Sequence, residues 1–116
     1  MLEGGVGYRT RGERKGERAM PTYIILGKFT EQGIRNVKES PKREEAFRKL
    51  CEKVGAKVKD VYRTMGRYDV AAIVDTPDEV TMNAIAYSLG SQGNIRTETL
   101  RAFTRKETDA ALAKMA

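Results

Sequence analysis

The sequence predicts an α+β domain in which one four-stranded antiparallel sheet carries helices on a single face. Short β-branched and aromatic runs alternate with segments of helical period, and helix start and stop signals separate them. The 116 residues, 40% apolar and 33% charged, leave room for one core only.

The chain opens on a segment that predicts no element. Residues 1–19 are glycine-rich, with five bases, three acids and almost no apolar periodicity, so burial there cannot offset the entropy of ordering. A tail is expected, followed by a single domain over residues 20–116. Met20-Pro21-Thr22 runs straight into a strand pattern. That places the natural start at Met20 and assigns the leader to an upstream start codon or added vector sequence; the alternative is a basic arm that docks on a partner.

Thr22 to Thr30 is the first strand, rich in β-branched and aromatic residues and closed before Gly33. Glu31 to Glu39 carries a short helical turn with Ile34 and Val37 directed inward. Ser40-Pro41 reads as an N-cap followed by proline at N1, with Glu44 close to the capping-box position. Phe47, Leu50, Cys51 and Val54 then form the apolar stripe of a helix that Gly55 ends. The run Lys42-Arg43-Glu44-Glu45 reads as its solvated face. Lys57 to Thr64 and Tyr68 to Asp75 are two strands joined through Met65-Gly66-Arg67, where glycine suits a tight, positive-φ connection, so they pair antiparallel.

Thr76-Pro77-Asp78-Glu79 resembles a capping box with Thr76 as N-cap and Glu79 at N3. The helix it opens has Met82, Ile85, Ala86 and Leu89 as its stripe and stops at Gly90 to Gly93. Ile95 to Phe103 alternates at period two as the last strand, and Thr104 to Ala116 forms a C-terminal helix with Thr104 or Thr108 as its cap and Ala111, Leu112 and Met115 on one side.

The order strand, helix, strand, strand, helix, strand is the ferredoxin-like β-α-β-β-α-β plan with an extra C-terminal helix. It leaves one sheet face uncovered. Tyr23 to Leu26 and Val70 to Val74 are apolar at both parities, as strands buried on both sides are. A second copy of the same sheet is the simplest cover, giving a homodimer with sheets packed face to face. Val80 to Gly90 carries no charge, which points to further burial in a higher oligomer.

Composition excludes several chemistries. With no histidine and the single cysteine Cys51, the chain cannot assemble the usual zinc ligand sets, a Ser-His-Asp triad or a Cys-His pair, so no metal and no cofactor is expected. Cys51, in a helix stripe, reads as a small buried hydrophobe. No apolar run is long enough for a membrane span and no secretory h-region opens the chain, which makes the cytoplasm the expected location. The net charge of +6 is spread among alternating acids and bases, a pattern of solvation that argues against nucleic acid as a partner.

Met20-Pro-Thr-Tyr-Ile, Lys28-Phe-Thr-Glu-Gln-Gly-Ile-Arg, Ser40-Pro-Lys-Arg, Thr64-Met-Gly-Arg-Tyr-Asp-Val70 and Gly93-Asn-Ile-Arg-Thr-Glu-Thr-Leu-Arg-Ala-Phe103 resemble the GYD-domain family over Met20 to about Lys106. The Gly66-x-Tyr68-Asp69 segment is the feature behind the family's name. The resemblance implies a dimeric α+β barrel and no particular activity. The broader dimeric-barrel class holds cofactor-independent monooxygenases, isomerases, haem enzymes and small-molecule sensors, so fold analogy does not choose among them.

Two groups of residues are candidates for chemistry. Tyr68 and Asp69 follow the hairpin glycine, and Arg63 or Arg67 can keep the carboxylate ionised while the phenol hydrogen-bonds a ligand. The competing role is scaffolding of the hairpin, and as neighbours in a strand the two should face opposite ways. The last strand presents Ile95, Thr97, Thr99, Arg101 and Phe103 on one face and Arg96, Glu98, Leu100 and Ala102 on the other. The first set can bind a small anion or carbonyl compound, with Tyr23 or Tyr62 as an aromatic wall; alternatively its threonines simply favour strands and its arginine pairs with a carboxylate. Gly27 marks a bulge, a ligand approach or a packing requirement.

Three functional readings follow. The first is a homodimeric barrel binding a small organic ligand. A cofactor-independent oxygenase or isomerase is the second, with Tyr68 or Asp69 exchanging a proton beside Arg63, Arg96 or Arg101. The third is a purely structural assembly subunit without a pocket.

Overall fold

The computed structural model describes residues 20–116, so the expected leader lies outside the described residues. Strand β1 (Thr22–Phe29) is followed by a short helix α1 (Glu31–Arg35), a 3₁₀ turn (Val37–Glu39) and α2 (Ser40–Lys53). Then come β2 (Lys57–Arg63), β3 (Val70–Asp75), α3 (Glu79–Ser91), β4 (Ile95–Ala102) and α4 (Arg105–Ala113). The strands lie in the order β2-β3-β1-β4 with every neighbour antiparallel. This is the ferredoxin-like β-α-β-β-α-β arrangement with an added C-terminal helix.

Side-chain alternation sorts the sheet into two faces. On one face Tyr23, Ile25, Ala72 and Val74 are buried against Phe47 and Cys51 of α2 and Met82 and Ile85 of α3. Each large apolar side chain contributes roughly 1.5–3 kcal/mol when fully buried, so this layer is the main source of stability. In β2 the register shifts between Val58 and Asp60. That bulge lets Val58 and Val61, three residues apart, both join the core instead of pointing oppositely.

The other face is apolar at its centre. Ile24 lies between Ile73 and Leu100, and Ala71 lies beside Tyr62. Ile24, Leu26, Ala71 and Ile73 are only half-buried, while Leu100 is 42% and Tyr62 54% exposed. Both parities of β1 and β3 are thus apolar, one under the helices and one open.

Helix ends explain where the elements stop. Val54 caps α2 and Gly55 follows at φ +85°, with the Gly55 amide donating to Glu52 O at 3.1 Å and the Ala56 amide to Cys51 O at 2.8 Å. This is a Schellman ending, which needs the left-handed residue. At α4, Thr104 Oγ1 accepts from the Glu107 amide and the Glu107 carboxylate accepts from the Thr104 amide, so Thr104 is the cap.

Several local expectations are corrected. Ile34 and Val37 do not turn inward; they are 49% and 39% exposed, because α1 packs through Gly33 instead. Ser40 is already helical and does not cap α2; its amide instead donates to Val37 O and closes the 3₁₀ turn that feeds directly into the helix. Thr76 is fully buried beyond the end of β3, where its amide donates to Pro21 O, and the cap of α3 passes to Asp78, whose carboxylate accepts from the Thr81 amide at 2.8 Å. The β2-β3 connection is a six-residue loop, 64–69, so Tyr68 and Asp69 lie in that loop and not in β3.

Candidate functional site

A cleft of about 80 Å³ opens between the helix-covered face of the sheet and the first turns of α2. Its walls are apolar, built from Ile25, Phe29, Phe47, Val61, Leu89 and Ile95. Gly27 on its floor is a packing requirement: a Cβ there would stand 3.0 Å from Ile95 Cγ1 and closer still to its Cδ1.

The mouth is charged. Ser40, Arg43, Glu44 and Phe47 fall at i, i+3, i+4 and i+7, which puts all four on the face of α2 that looks into the cleft. Arg63, the last residue of β2, reaches them: its Nη1 lies 3.2 Å from Glu44 Oε1, and its Nη2 donates to Ser40 O at 3.2 Å and Ser40 Oγ at 3.3 Å. Glu44 also takes Arg48 Nη2 at 3.1 Å. Arg43 donates to Asn36 O at 3.0 Å and Gly33 O at 3.2 Å, satisfying carbonyls at the end of α1, and its guanidinium lies 5.7 Å from the Phe29 ring centroid. Among the described residues the lining therefore holds two guanidinium groups against one carboxylate. The expected solvated face Lys42 to Glu45 is corrected on this point, since Arg43 and Glu44 turn to the cleft.

The structure distributes the candidate residues over several places. Arg63 and Thr97 line the cleft together. Tyr23 and Thr99 line a second cavity near the start of α3, with Glu79, Met82, Asn83 and Ala86. Tyr62 and Arg96 belong to the open sheet face, Tyr62 opposite Ala71 and Arg96 opposite Lys28. Arg101 pairs with Glu107 Oε2 at 3.2 Å and lies 4.5 Å from the Phe103 ring centroid, at the root of α4.

Tyr68 and Asp69 are tied into the scaffold around the loop. Asp69 Oδ2 accepts from the Phe29 amide at 2.8 Å, the Asp69 amide donates to Gly27 O at 2.8 Å, and Asp69 O accepts from the Thr64 amide at 2.9 Å. Tyr68 donates its phenol proton to Glu98 Oε1, and that hydrogen bond, with slight burial, raises the phenol above its ordinary range. Gly66 at φ +102° makes the bend that brings both residues back.

Other titratable groups behave as packing and caps. Burial pushes the Cys51 thiol up to about 11 against the opposing pull of Arg48. Desolvation opposes ionisation of Glu107, but the Thr104 amide and Arg101 together hold its carboxyl below the usual range. Among the described residues no three His, Cys, Asp or Glu side chains gather as a metal site, and no helix is long and apolar enough to cross a membrane.

Sequence reasoning missed Ser40, Arg43 and Glu44 as mouth residues. Their spacing with Phe47 was the available signal. Charge alone assigns Arg43 and Glu44 to the surface, whereas helical phase places them beside the apolar stripe.

Two comparisons relate the chain to known proteins. The family model for the GYD domain matches residues 23–112. A relative from Thermus thermophilus, named "Glutamine synthetase and cystathionine beta-lyase binding protein", is 32% identical over 84 residues, covering 72% of this chain and 88% of the relative. The loop of Gly66, Tyr68 and Asp69 that closes onto β1 lies within the matched span, and this chain belongs to the GYD-domain family.

Proposed function

We propose that this chain is a small homodimeric binding protein that holds an organic carboxylate in the cleft under α2 and docks on partner proteins. The cleft carries the reading. Its interior is apolar, its mouth is net positive, and Glu44, the one carboxylate of its lining among the described residues, is already held between Arg63 and Arg48. Such a site grips an apolar body and an acidic head while offering no free acid or base for catalysis. Homodimerisation through the open sheet face is supported by its half-exposed Ile24, Leu26, Ile73 and Leu100. Protein partners are supported by the name of the Thermus relative, and enzymes of amino-acid metabolism are the class to try first.

A thermal-shift series tests the cleft, since a ligand selective for the native state raises the melting point by mass action. Apolar-bodied carboxylates should raise it, their amides and matching amines should not, and Arg43→Leu should abolish the response. If no carboxylate acts, or if the variant responds as the parent does, the cleft is not a ligand site. Sedimentation of the parent and of Ile73→Asp tests the dimer: the parent should sediment as two chains and the variant as one.

A further inference from the structure

We infer, on the carboxylate reading of the cleft, that Glu44 is an internal competitor for the ligand's acidic head, and that Arg48, outside the lining, sets how readily Glu44 gives up Arg63. The two guanidinium groups of the lining are not equivalent. Arg43 donates to the main-chain oxygens of Asn36 and Gly33, which are neutral, and among the described residues no carboxylate pairs with it. Arg63 instead turns Nη1 to Glu44 Oε1, 3.2 Å away, while its Nη2 rests on Ser40 O and Oγ. A bound carboxylate would take the place on Arg63 that Glu44 already holds. Ligand and Glu44 therefore compete for the same N–H donors.

The contacts of Glu44 let Arg63 change partners. Glu44 Oε2 accepts from both Nε and Nη2 of Arg48, at 3.2 and 3.1 Å, which leaves Oε1 to Arg63. Glu44 and Arg48 stand at i and i+4 of α2, the spacing and order that favour a pair within a helix. When Arg63 turns to a ligand, Glu44 keeps Arg48 and is not stranded as a lone charge in a part-buried position. Arg63 is also within reach from solvent, its side chain being 39% exposed. Its Ser40 contacts lie at the first turn of α2, where the helix dipole favours an anion. Selectivity follows, because an acidic head gains little by displacing Glu44 unless its apolar body also fills the cleft.

Calorimetric titration of the full chain with sodium 4-methylpentanoate tests the exchange. Glu44→Gln should bind it about threefold tighter than the parent, the effect of losing a partly exposed ion pair. Arg48→Gln should bind it about threefold more weakly, because Glu44 then has Arg63 alone to balance its charge among the described residues. The field of the lost charges would shift affinity in the same two directions, and the double variant tells the two causes apart. Once Glu44→Gln is present, Arg48→Gln should change nothing, whereas a field effect would persist. Equal or weaker binding by Glu44→Gln, or an Arg48→Gln effect that survives in the double variant, would overturn the competitor role and leave the cleft a carboxylate site. Uptake by Glu44→Gln but not by the parent would support that role. If neither binds 4-methylpentanoate, the carboxylate reading fails and the competitor role falls with it.

Discussion

Replacing Asp69 by alanine should destabilise this protein by about 2 kcal/mol, and the structure says where that figure comes from. Asp69 Oδ2 accepts the Phe29 amide at 2.8 Å across 40 residues of chain. A hydrogen bond to a charged acceptor contributes about 1.5–3 kcal/mol, and Phe29 is only half-buried, so water repairs part of the loss. Main-chain bonds from Asp69 to Gly27 and Thr64 survive the change, which keeps the figure near the middle of that range. Asparagine retains a neutral acceptor and should cost about 1 kcal/mol or less. For a chain of this size 1 kcal/mol moves the melting point by about 4 °C, so alanine should lower it by about 8 °C and asparagine by about 4 °C or less. Both are measured at one protein concentration, because association would shift the transition. If alanine melts within about 2 °C of the parent, Asp69 does not hold the loop; if instead it loses ligand affinity with no melting shift, its role is chemical.

Three further outcomes are expected. Gly33→Ala should be worse than Gly27→Ala: a Cβ at Gly33 would lie 2.9 Å from the main-chain carbonyl carbon of Asn94 and closer still to its oxygen, whereas at Gly27 it meets the movable tip of Ile95, so denaturant unfolding should show about 1–3 kcal/mol for Gly27 and more for Gly33. Cys51, fully buried and with its pKa pushed up to about 11, should resist a thiol reagent at neutral pH until the chain unfolds, and prompt labelling of the native protein would contradict its packing in the core. Because the folded Glu107 carboxyl lies below its unfolded value of 4.5, its contribution is present above that pH and is lost as pH falls through the lowered folded value; α4 should then fray in acid, and Glu107→Gln should remove that step from an NMR titration of the Thr104 amide.

What the sequence reveals depends on how far apart the interacting residues lie. Strand β1 was legible because Tyr23, Ile25 and Gly27 alternate with Ile24 and Leu26, and a two-residue period is local information. Gly55 was legible as a stop because its left-handed turn depends only on adjacent residues. Sequence places the cap of α3 two residues early because Thr76 and Asp78 are both good caps. A tertiary contact separated them: Thr76 is held by Pro21 at the end of the sheet, leaving Asp78 to meet the first turn. Tyr68 and Asp69 look like strand residues in sequence because nothing nearby reveals that Glu98 and Phe29, from two other strands, are their partners.

The order of elements, the absence of histidine from the sequence and the apolar character of both sheet faces all follow from the residues in line, because propensity, period and composition act within a few positions of each other. The cleft does not. It exists because strand order brings the end of β2 beneath the start of α2, so that Arg63 meets Glu44 and Ser40 and the space left by Gly27 is filled by Ile95. Those meetings join segments distant along the chain, and only a register fixed by the whole sheet selects which side chains converge.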